Sequence, residues 1–291
     1  MSSAPALILT YHRVAEGPDP LLQCVSPDHF TAQVERLAHL ADVVPLAELD
    51  RRSPERRVAI TFDDGYADNA LVAAPILRAA RAPATFFVPS RVVDDDREHW
   101  WDRLEHWVAE LSTDQLDAVV AHRRVRVDLR SDEGRQRALK ALNRRLRTQP
   151  GSQIETFLAD ANGHCGRHAL MDRQMITALA NDFEIGSHAV THTMLSALPP
   201  AEANEEITAS RAALTRVAGR SVTSIAFPYG TPESYTRACI RSVRRAGYER
   251  ACANVAGLVR RGPRFELPRC MVYDWSADEF AANVEEWFRT L

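Results

Sequence analysis

The chain reads as an α/β protein, an irregular seven-stranded (β/α) barrel carrying a helical insertion. Three observations predict this. Seven short apolar or β-branched runs recur along 291 residues, amphipathic helical patterns separate them, and the alternation lapses once, over residues 94–171. A chain of this length can bury a full core, so residues 1–291 are expected to form a single domain with residues 94–171 inserted in it.

The strand candidates are residues 6–10, 58–62, 84–88, 183–187, 224–227, 250–253 and 269–273. Residues 27–40 carry Phe30, Val34, Leu37 and Leu40 at helical spacing. Asp68 and Asn69 offer a cap for a helix running to Ala80, and Ser276 offers one for the last helix, 277–291. The lapse shows no convincing strand; helices are expected over 99–111, 113–122 and 131–148. That insertion is expected to lie over the barrel mouth. Trp100, Trp101 and Trp107 near its start read as core packing, with sugar stacking as the alternative.

Composition excludes several classes. A formal charge of -3 provides no basic field for nucleic acid, and Lys140 is the only lysine. Five cysteines without CxxC spacing argue against a disulfide framework or a structural zinc cluster. No apolar run approaches the roughly 20 residues a membrane span needs. The first residues lack the basic and apolar regions of an export signal, so the expected location is cytoplasmic.

The chemistry concentrates at two strand ends. Ile60-Thr61-Phe62-Asp63-Asp64-Gly65-Tyr66 places two carboxylates where a strand breaks at a glycine. Side chains alternate faces along a strand, so adjacent aspartates converge on one site only where the strand ends. Downstream, Gly186-Ser187-His188-Ala189-Val190-Thr191-His192 supplies two imidazoles at another strand exit. One Asp and two His form a facial set of metal ligands, leaving the second Asp as a base. Each motif alone has a plain alternative, a turn or cap for the aspartates and a chance pair for the histidines. In this order and architecture they point to metal binding.

Here the chain resembles the polysaccharide deacetylase family (NodB homology, carbohydrate esterase 4). Thr61-Phe62-Asp63-Asp64-Gly65 matches one family motif, and His188-Ala189-Val190-Thr191-His192 matches a second, with Ala189 in a Ser/Thr slot. The resemblance implies a NodB-like barrel, Asp63 as general base, and Asp64, His188 and His192 as ligands of a divalent metal. Zn2+ is the expected ion, with Co2+, Ni2+ or Fe2+ also compatible. Pro228-Tyr229-Gly230 matches a family turn, where the Tyr229 backbone N–H would help hold the oxyanion. The arginine usual upstream of that turn is missing; Arg269 either supplies the guanidinium or is a strand-edge arginine. No histidine follows His192, so the usual late histidine acid is missing too. Tyr11-His12 resembles the N-terminal motif of the branch related to poly-N-acetylglucosamine deacetylases. His12 is thus either the substitute acid or a hydrogen-bonded structural residue.

Two other features are weighed against plainer roles. Asp274-Trp275 resembles a family motif but reads as the start of the last helix. His164 and His168 could suggest a second metal site but lack a fourth ligand at sensible spacing. The expected activity is metal-dependent removal of an N-acetyl group from an N-acylated amino sugar. A deformylase, an amidase on another C–N bond, and a degenerate carbohydrate-binding protein are the alternatives.

Overall fold

Seven parallel strands carry the molecule's main unit: β1 (Ala6–Tyr11), β2 (Arg57–Phe62), β3 (Ala84–Val88), β4 (Glu184–Ser187), β5 (Ser224–Ala226), β6 (Arg250–Cys252) and β7 (Cys270–Met271). The computed structural model describes residues 4–17, 21, 24–49, 51, 53–120, 122–159, 169–259 and 264–291. The strands lie in the order β6-β5-β4-β3-β2-β1-β7. Leu267, three residues before β7, exchanges backbone hydrogen bonds with Ala251 and Ala253. The bonding path therefore returns from β7 to β6 and completes an irregular barrel. All seven predicted strands form, each within a residue or two of its expected bounds.

Alternation along the strands explains both faces. Leu7, Leu9, Tyr11, Val58, Ile60, Phe62 and Phe86 point outward into the main core under the helices. Tyr11 stacks on Phe62 at 5.4 Å, and Phe62 on Phe86 at 4.9 Å. The opposite parity, including Ala6, Ile8, Ala59, Phe87, Ala226 and Cys252, fills the lumen. Gly186 belongs to that inner set. A Cβ there would lie 2.3 Å from the Phe87 ring, so the lumen leaves it no room for a side chain.

Around the barrel run α1 (Pro27–Leu37), α2 (Ala74–Ala80), α3 (Arg173–Leu179), α4 (Pro200–Ala218), α5 (Arg237–Arg245) and α6 (Ala277–Thr290). Ser276 caps α6 in a full capping box with Glu279, as the sequence predicts. Two other polar assignments need correction. The helix expected to run to Ala80 forms, opening at Asn69 as a π-helical stretch that continues into α2, but the Asp68 side chain does not cap it; it accepts hydrogen bonds from the Val14 N–H and the Arg13 guanidinium. Asp274 serves the first helix, not the last. Its Oδ1 accepts from the N–H and hydroxyl of Ser26, the residue before α1.

The described residues of 18–21 and 97–169 form a second compact unit. Helices Trp100–Glu110, Asp132–Leu146 and Gly151–Phe157 surround a small core of Leu104, Val108, Leu116, Leu139 and Leu142. Trp107 packs edge-on against Phe157, 5.6 Å between ring centres. The expected helix over 113–122 is wrong. Gln115–Val120 and Arg123–Asp128 pair as an antiparallel hairpin, turning at His122 with φ 59°. Leu116, Val119 and Val120 fit helical spacing, but Leu116 and Val120 equally fit alternation, and those two are the buried ones. The cross-strand partner and the Asp117–Arg124 ion pair decide for strand. His164 and His168 fall outside the described residues.

Candidate metal and catalytic site

Strand register brings the candidate residues to one rim. Tyr11 pairs with Phe62, Phe62 with Phe86, Val88 with Ser187, and Ser187 with Ile225. His12, Asp63 and His188 are the next residues on β1, β2 and β4, so they leave the barrel at the same C-terminal level.

Asp63 has the parity of Ala59 and Thr61 and faces the lumen. Asp64 would face away, but its backbone is left-handed at φ 72°, followed by Gly65 at φ 70°. Aspartate tolerates that region better than most residues, and the turn swings the second carboxylate back to the same centre. Gly65 fits because a Cβ there would press on Val88 and Pro89. His188 continues the inward parity of Gly186, and two left-handed residues, Ala189 and His192, return His192 to the site.

All these side chains are buried, yet the carboxylates have different partners. The His188 and His192 Nε2 atoms approach Asp64 Oδ1 at 3.5 and 3.1 Å. Ligand atoms of the three residues lie within 4.8 Å of one another. His188 Nδ1 is 2.8 Å from the Ala226 carbonyl, an acceptor only, so this nitrogen is the donor and Nε2 offers its lone pair to the centre. One carboxylate and two imidazoles thus fit a borderline divalent ion and leave coordination positions open.

Asp63 is held by Arg269. The guanidinium donates to both carboxylate oxygens, at 2.8 and 2.7 Å, and to Thr61 Oγ1 at 3.3 Å. Its Nε donates to the Ala253 carbonyl. Burial alone would raise the Asp63 pKa, but Arg269, then His188, outweigh it and hold the carboxyl below its ordinary value. Asp64 is likewise pulled well below its usual range despite burial, chiefly by His192 and His188. Burial disfavours protonation of both imidazoles; at His188 the two carboxylates reverse this and raise the pKa, while at His192 burial prevails.

His12 is 7% exposed, and its buried Nδ1 has no hydrogen-bond partner among the described residues. It contributes to lowering the pKa of Asp63 and Asp64, which puts it within electrostatic reach of both. Its carbonyl accepts from Asn69 Nδ2 at 2.7 Å, a support that sequence reading assigned to a helix cap. Tyr229 follows β5 with φ 63°, its ring edge-on to His192 at 4.8 Å. The Ala226 carbonyl was not foreseen, since no sequence signal marks a backbone oxygen as a ligand's support.

The polysaccharide deacetylase family profile matches residues 50–117 and 151–251, more than half of the chain. No curated protein matches the chain significantly. Among solved structures, the Streptococcus pyogenes deacetylase PplD superposes with a TM-score of 0.64 at 16% identity, covering 99% of each chain. IcaB from Ammonifex degensii gives 0.64 at 17% identity over 99% of this chain and 98% of its own. The de-N-acetylase of Aggregatibacter actinomycetemcomitans gives 0.59 at 16%, covering 96% of this chain and 99% of its own. These likenesses are of fold, and they agree with the profile. The two sequence motifs, the barrel that positions them and the profile together establish that the chain belongs to the polysaccharide deacetylase family, hydrolases of acetylated carbohydrate.

Proposed function

We propose that the protein is a metal-dependent N-deacetylase of an amino sugar, with zinc as its ion. The observation that carries this reading is the division of the carboxylates, Asp64 with the two histidines and Asp63 with Arg269. Asp64, His188 and His192 would hold the cation, which supplies Lewis acidity to activate water and polarise the amide carbonyl. Asp63, kept ionised by Arg269, accepts the proton of the attacking water. The Tyr229 N–H donates to the oxygen that gains charge. His12 delivers a proton to the departing amine; its buried Nδ1, without a hydrogen-bond partner among the described residues, and its electrostatic reach to both carboxylates support that role.

The test is acetate release from N-acetylglucosamine oligomers, with N-formyl analogues in parallel, before and after chelation. Chelation is expected to abolish acetate release and added Zn2+ to restore it. Activity indifferent to the chelator, or formate release exceeding acetate release, would defeat the reading. For the acid role, His12→Ala should keep full metal content yet lose about 10²- to 10⁴-fold in turnover, the usual range for general acid–base catalysis. Near-normal turnover with full metal would remove His12 from the mechanism.

A further inference from the structure

The turn that carries both histidines is gripped from behind by one carboxylate. Glu206, in the middle of α4, accepts the N–H groups of Val190 and Thr191 on Oε2, both at 2.9 Å. Its Oε1 accepts the Thr191 hydroxyl at 2.8 Å. Ala189 is left-handed at φ 61°, and this conformation turns the two following N–H groups to one side. Consecutive N–H groups so arranged form a concave anion-binding nest. Here the nest is filled by a side chain of the same protein.

The opposite edge of the turn is also fixed. The carbonyls of Ala189 and Val190 accept from the N–H groups of Ser90 and Arg91, both at 3.0 Å. Ala189 and His192 are two non-glycine residues in the left-handed region, a conformation that persists only where its surroundings over-determine it. Ala189 has no polar side chain with which to brace the turn. The Thr191 and Thr193 hydroxyls bond each other within the turn at 2.7 Å, and Glu206 is the charged side chain that grips it from another element, with three charge-assisted contacts from a helix.

We propose that Glu206 is a positioning residue for the metal centre. It sets the turn between His188 and His192 so that both Nε2 atoms converge on Asp64 Oδ1. The proposal rests on the metal-dependent reading above. It assigns Glu206 no contact with the ion or the substrate, only control of where the ligands stand.

The experiment is zinc titration of the folded protein against a chromophoric chelator, with kcat followed as a function of free zinc. Wild type, Asp64→Ala, Glu206→Ala and Glu206→Gln are compared. Wild type should bind zinc and Asp64→Ala should lose it. Glu206→Ala should weaken zinc by about 10- to 100-fold, the range for removing a residue that orients a metal ligand. Its kcat should recover at saturating zinc, a recovery that general damage to the barrel would not allow. Glu206→Gln keeps the shape without the charge and should fall between the two. It also serves as the second variant if Glu206→Ala does not fold. Wild-type zinc affinity in either Glu206 variant, with Asp64→Ala defective, overturns the proposal alone. Equal binding by wild type and Asp64→Ala overturns the metal reading, and this proposal with it.

Discussion

Asp63→Asn is expected to lower kcat/KM on an N-acetylated amino sugar by about 10²- to 10⁴-fold, the usual weight of a general base. Metal content should stay at the wild-type level, because Asp64, His188 and His192 form the converging set. The amide cannot accept a proton but can still accept a hydrogen bond from Arg269. The variant should therefore fold, with a stability loss toward or below the low end of the ~3–5 kcal/mol typical of breaking a buried pair. Metal analysis, thermal unfolding and kinetics on the same preparation decide the matter. Loss of metal with activity would recast Asp63 as a ligand, and retained activity would leave the site without a base.

Replacing Arg269 should have the larger effect on stability and a distinct effect on pH dependence. Arg269→Met fills the volume but leaves Asp63 buried beside the lumen without its bidentate donor. The expected loss is ~3–5 kcal/mol, since a charge is left buried without its partner. In the wild type the Asp63 pKa is depressed in the folded state. Its contribution to stability is thus present above the unfolded carboxylate pKa of about 3.9 and is lost as pH falls through the folded value. Without the guanidinium, burial acts with less opposition and the folded pKa rises. The acid limb of the kcat/KM profile should move to higher pH, and activity lost at acidic pH should partly return as pH increases. An acid limb unchanged in the folded variant would show that Arg269 does not set the ionisation of Asp63.

The sequence exposed what is local and concealed what is distant. The strands were legible because each is a short apolar run, and the site because paired carboxylates and an HxxxH stand at strand ends. The pairing of Arg269 with Asp63 was legible only as one of two readings, through the family resemblance, since 206 residues separate them and only ring closure brings them together. Asp68 and Asp274 show the same limit. Each lies beside a helix start, and local reading assigned it there, whereas the fold sends their carboxylates to Val14 and Ser26. Gln115–Val120 misled because a run this short satisfies helical and strand spacing together. Glu206 sits in a Glu205-Glu206 pair that reads as an ordinary solvated helix face. Nothing near it in sequence mentions the turn it holds.

The closure of the barrel has a consequence for biosynthesis. Asp64, His188 and His192 have all left the ribosome well before Arg269, which immediately precedes the last strand. A nascent chain therefore carries Asp64, His188 and His192 while Asp63 still lacks its restraining guanidinium. That guanidinium reaches the rim only when the final strand docks beside β1. The order of synthesis thus places the three converging side chains in the chain before the residue that steadies Asp63, and a chain stalled before Arg269 would carry that carboxylate without its bidentate donor.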